Sequence, residues 1–143
     1  MLRKSLFATC ALLAAGVAGY WAGRTTVTVE AAGEKVYELR TYTAEPGKLE
    51  ALHSRFRDHT LAIFKKHGMN NVVYFKPQDA PLKDNTLVYL LSFPSRDAAK
   101  KSWDAFRTDP DWQKAQKESE VNGKLVTKVE SVFLDPTDYS PMK

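Results

Sequence analysis

The chain is 143 residues long, 43% hydrophobic and 27% charged, with a formal net charge of +4 and one cysteine. That length fits a single domain. Three basic residues and one acid precede Gly33, so the remainder carries an excess of only +2; this is too weak to point to nucleic acid, and with Cys10 in an apolar leader the domain has no thiol for a disulfide, a nucleophile or a metal.

The chain opens on Arg3 and Lys4, followed by an uncharged run from Leu6 to Gly23 that Arg24 closes. A basic start before an apolar run is an export signal, and a run of about 18 residues also lies at the lower edge for a membrane-spanning helix. Residues 1–23 therefore read as a signal peptide or an N-terminal membrane anchor. Val29-Glu30-Ala31 supplies small residues for cleavage, whereas Tyr20 and Trp21 stand where an interfacial anchor would place aromatics. The expected location is exported, periplasmic or secreted; the alternative is anchoring to the inner membrane by residues 6–23, the one membrane contact expected. Residues 24–34 read as a linker, 35–135 as the domain and 136–143 as a polar tail.

Within the domain the first strand is predicted over about Lys35–Thr43. It has Tyr37, Leu39 and Thr41 on one side and Val36, Glu38, Arg40 and Tyr42 on the other. Pro46-Gly47 leads into a helix whose apolar stripe is Leu49, Leu52, Phe56, Thr60 and Ile63, and Gly68 stands at its C′ position. Asn71–Lys76 reads as strand two, Pro77–Asn85 as a loop and Thr86–Phe93 as strand three. Ser95 is a suitable N-cap for a helix that buries Ala99, Trp103 and Phe106. Asp109-Pro110 breaks it and starts a shorter helix over Asp111–Glu120; Asn122-Gly123 turns into a last strand over Lys124–Leu134.

The order βαββαβ points to an α+β, ferredoxin-like sandwich with a four-stranded antiparallel sheet. Strands two and three are apolar on both faces: Val72 and Tyr74 oppose Val73 and Phe75, and Leu87, Tyr89 and Leu91 oppose Val88 and Leu90. A sheet with one wet face should alternate, so a second subunit is expected to cover it, giving a homodimer.

Candidate chemistry is sparse. His53 and His59 fall about 60° to either side of the helical stripe and cannot share a metal; no metal or cofactor is expected. His67 reads as a last-turn residue favoured by the helix dipole. His59 borders the apolar face and reads either as a functional histidine or as a boundary residue bonded to backbone. Arg40 lies mid-strand, where a buried arginine needs an anionic partner. Glu38, two residues away on the same face, would make it an ion pair; a ligand carboxylate or phosphate would make it an anchor. Tyr42, Tyr74, Tyr89, Trp103, Phe106 and Trp112 form either plain core or the lining of a cavity. A ligand site, if present, is expected to use Arg40, His59, Tyr74 and Trp103, for a ligand with an anionic group on an apolar body. G-x-S-x-G, P-loop and G-x-G-x-x-G motifs are absent, which leaves hydrolase and nucleotide chemistry unsupported.

Read together, VYELRTYTAEPG at Val36–Gly47, FKKHG at Phe64–Gly68 and WDAFRTDPDW at Trp103–Trp112 resemble the NIPSNAP family, over about Val36–Leu134. The resemblance implies a ferredoxin-like domain pairing as a dimeric α+β barrel, with a helical histidine at the position of His59. It implies no shared reaction. The expected role is binding a small, partly apolar ligand or a partner protein. The alternative is a cofactor-independent monooxygenase-like or haem-handling enzyme of the dimeric α+β barrel type, in which His59, Tyr74 and Trp103 could serve.

Overall fold

A computed structural model of the protein describes residues 35–142. The signal-or-anchor segment and the linker lie outside the described residues. No helix among those described is long and apolar enough to cross a membrane.

The chain runs β1 (Val36–Ala44), α1 (Leu49–Arg55), a π-helical turn (Phe56–Thr60), α2 (Leu61–Lys66), β2 (Asn70–Phe75), β3 (Thr86–Phe93), α3 (Arg96–Thr108), α4 (Pro110–Ser119) and β4 (Val126–Leu134), with a 3-10 turn (Leu82–Asp84) before β3. The strands form one antiparallel sheet in the order β2-β3-β1-β4. This is the ferredoxin-like α+β arrangement, and it is the fold class read from the sequence.

Local signals set most boundaries. The Ser95 hydroxyl accepts a hydrogen bond from the Ala98 N–H at 3.1 Å and caps α3. Asp109 caps α4 with Pro110 at its first position. Gly68 takes φ +73° after α2, a conformation that side-chain-bearing residues rarely adopt. Differences from expectation are small but informative. β2 starts one residue earlier, and its pairing with β3 shifts between Asn71 and Val73, a bulge that takes Val72 out of simple alternation. The first helix contains the π turn, inside which the Thr60 hydroxyl donates to the Arg55 carbonyl at 3.2 Å.

The helices cover the sheet face that carries Val36, Glu38, Arg40 and Tyr42 from β1. Opposite them in register on β3 stand Phe93, Leu91, Tyr89 and Leu87. Leu52, Phe64, Tyr89, Leu91 and Phe93 are essentially inaccessible, and full burial of such a side chain contributes about 1.5–3 kcal/mol. The other face carries Leu39, Val73, Val88 and Leu90, with Phe75, Val132 and Leu134 exposed.

Candidate functional site

Alternation along β1 places Glu38, Arg40 and Tyr42 side by side beneath the helices, and α3 lowers Trp103 onto them. Glu38 is 2% exposed, so its carboxylate needs donors. It has three: Arg40 Nη1 donates to Oε1 at 2.6 Å, the Ser131 hydroxyl of β4 to the same oxygen, and the Trp103 indole N–H to Oε2 at 2.6 Å. The Arg40 guanidinium lies 4.1 Å from the centre of the Trp103 ring, in cation–π range.

Glu38 occupies only one corner of the guanidinium. The Nε–Nη2 edge, which presents two parallel N–H groups, carries a single 3.4 Å contact from Nη2 to the Tyr42 hydroxyl. Nε is buried without a partner among the described residues, as is the Tyr89 hydroxyl from the neighbouring strand. Burial would lower the Arg40 pKa, but Tyr42, Tyr89 and Glu38 outweigh it, so the pKa lies above the ordinary arginine value and the group stays charged. Burial pushes the Tyr89 and Tyr74 pKa values up, with Tyr42 adding to both; both phenols are neutral at ordinary pH.

This cluster floors a cleft of about 600 Å³ between α3 and β4, with Arg96, Lys100 and Arg107 at its mouth. Lys100 and Arg107 pair with Asp104. Arg96 lies 4.0 Å from the Phe133 ring centre and has no acidic partner within 4 Å among the described residues.

The four residues selected from the sequence fall in three places. Arg40 and Trp103 are in contact in the α3–β4 cleft. Tyr74 stacks on Tyr89 at 5.3 Å, donates to Asn71 and lines a separate groove beside His53 and Phe56. His59 is exposed and lines an outer groove with Asp58, Asp111 and Glu118. The helical turn that carries His59 points it towards α4, away from the sheet, so it shares no site with Arg40. His67 does more than end a helix. Its Nε2 meets Asp109 Oδ2 at 2.6 Å, and Lys66 reaches the same oxygen at 2.8 Å.

The NIPSNAP family profile matches residues 37–141. The chain belongs to the NIPSNAP family. A comparison with curated proteins finds no match. Solved structures agree on the fold. A NIPSNAP family protein from Agrobacterium tumefaciens is 24% identical with a TM-score of 0.67, over 77% of this chain and 100% of that one. A NIPSNAP-like domain protein from Burkholderia xenovorans is 20% identical with a TM-score of 0.66, over 76% and 90%. SnoaB, a cofactor-independent oxygenase from Streptomyces nogalater, is 17% identical with a TM-score of 0.52, over 76% and 99%.

Two features of this NIPSNAP domain escape a reading of its sequence. Arg55 is buried, 4% exposed; it lies next to the apolar stripe with nothing local to mark it, because its partners Ser119 and Glu120 are 64 and 65 residues away. Asp109 reads as a helix break, yet its Oδ1 accepts from the Asp111 and Trp112 N–H groups while Oδ2 meets Lys66 and His67. The hydrogen bonds from Lys66 and then His67 hold its pKa well below the usual carboxylate range.

Proposed function

We propose that this NIPSNAP domain is a binding protein for a small molecule with an anionic group on an apolar body, held in the α3–β4 cleft. The observation that carries the reading is the Arg40 guanidinium in the lining of that cleft, stacked on Trp103 and paired with an acid through Nη1 alone. A ligand carboxylate that reaches this guanidinium gains a charge-assisted hydrogen bond. Trp103 and Phe133 offer apolar area, and Arg96 supplies a further positive charge at the mouth.

Binding is favoured over oxygenation because of the state of the carboxylate at the floor. Glu38 is committed to three donors, so its two oxygens are already engaged and it is not placed to take a proton from a substrate. A fold shared with an oxygenase does not carry its chemistry. Native mass spectrometry of protein purified from its own host tests the proposal: a retained anionic small molecule is expected, and a bare chain under gentle ionisation contradicts it.

The same proposal includes assembly and address. The domain acts as a homodimer through the sheet face on which Phe75, Val132 and Leu134 are exposed, since exposed apolar area of this kind marks an interface. Light scattering at micromolar concentration should give twice the chain mass, and a stable monomer refutes it. Residues 1–23 direct export. A reporter active only outside the cytoplasm, fused after Gly33, should be active; an inactive fusion refutes export.

A further inference from the structure

On the opposite side of the molecule from β4, α1 and the outer strand β2 enclose a second groove, of about 300 Å³. That is the lower end of the range for small-molecule sites, about 300–1,000 Å³. Its floor is Phe56 and Leu87, both buried, and its sides are the half-buried Leu61 and Tyr74. None of its lining residues is acidic, and two are basic: Arg57 and Lys76. Among the described residues Arg57 has no acidic partner within 4 Å, and Lys76 reaches only Glu50, at 4.0 Å across solvent. The polar group on the inner wall is His53, whose Nε2 is buried with no partner among the described residues.

An apolar trough with two cations at its rim and one unsatisfied ring nitrogen in its wall has a definite complement. We propose that this groove binds a soluble medium-chain carboxylate, with the acyl chain along Phe56, Leu61 and Leu87 and the head group beside Arg57 and Lys76. A neutral apolar ligand would leave both cations unused. A polyanion would bring more charge than two exposed cations and an imidazole can match, and would leave the apolar floor uncovered. The site shares no lining residue with the Arg40 cleft, so either can fail without the other.

Calorimetric titration of the purified protein with octanoate, and with octan-1-ol as the uncharged counterpart, tests the proposal. Octanoate should show a saturable component of one per chain that Arg57 and Lys76 control, and octan-1-ol should fill that component about tenfold more weakly, because it lacks the charge-assisted contacts. Arg57→Gln and Lys76→Gln alter exposed side chains, so the fold should persist while octanoate affinity falls about fivefold or more in each. Arg40→Lys should leave this component unchanged, whatever it does to binding in the α3–β4 cleft. The absence of saturable heat, equal affinity for acid and alcohol, or a loss confined to Arg40→Lys would each overturn the proposal.

Discussion

Arg40 and Arg55 are built from the same parts and do different things. Each guanidinium lies over a tryptophan, Arg40 at 4.1 Å from the Trp103 centre and Arg55 at 5.1 Å from that of Trp112. Each uses Nη1 to meet a glutamate, and each has an unpartnered buried Nε. The difference is what the glutamate is attached to. Glu120 follows α4, so Arg55 joins the start of the π turn to an element 65 residues away. Glu38 is two residues along the same strand, and Trp103 and Ser131 already tie it to α3 and β4. The Arg40 pair therefore closes no long-range joint, and Arg40 lines a larger cleft, about 600 Å³ against about 310 Å³ at Arg55. A buried arginine is structural or functional according to what its partners hold together.

Substitutions can break that contrast. The largest effect belongs to Arg55→Ala. It removes a 3%-exposed cation and leaves Glu120, itself 22% exposed, without its partner. Breaking such a pair costs about 3 kcal/mol, the lower end of the range, since Glu120 can rehydrate; thermal melts should show a fall of more than about 10 °C. A fall under about 3 °C would mean the joint is idle. Next is Trp103→Phe. It keeps an aromatic ring on α3 but takes a donor from buried Glu38, which costs about 1–3 kcal/mol in the same melts. Arg40→Lys should be milder still in stability, with the melting temperature within about 5 °C of wild type, because lysine keeps a charge beside Glu38 and loses only the fork.

A separate test uses pH on Asp109, a third ionic joint in the fold. Its folded pKa lies below the ordinary carboxylate value, so its stabilising contribution is present above that value and is lost as pH falls towards the folded pKa. Melts of wild type and Asp109→Asn should start to converge as pH falls below about 3.9, the unperturbed aspartate pKa, and draw closer the further it falls. Curves that stay parallel down to pH 2 would contradict this.

The sequence carried the fold because its signals are local. Thr86–Phe93 is an apolar run between turn residues; Ser95 is a cap before a periodic stripe; Gly68 and Asn122-Gly123 mark turns. The Glu38–Arg40 pairing was legible for the same reason, since residues two apart on a strand share a face. What was not legible depends on tertiary docking. The apolar stripe holds through the π turn at Phe56–Thr60, with Thr60 and Ile63 buried; what spacing could not show is that the flank carrying His59 faces α4 and solvent. The bulge at Val72 has no turn residue to announce it. Arg55 and Trp103 find their acids 65 residues away in each case, a distance at which no spacing rule operates.

The most direct measurement is the occupancy of a retained small anion in protein purified from its own host, wild type against Arg40→Lys, read by native mass spectrometry. The division drawn between the two arginines predicts an adduct on wild type that falls at least about tenfold in Arg40→Lys, as loss of a charge-assisted contact of about 1.5–3 kcal/mol requires, with the melting temperature of the empty protein nearly unchanged. An adduct equally abundant on both, or a variant that loses stability as Arg55→Ala is expected to, would make Arg40 a second structural arginine and contradict the account.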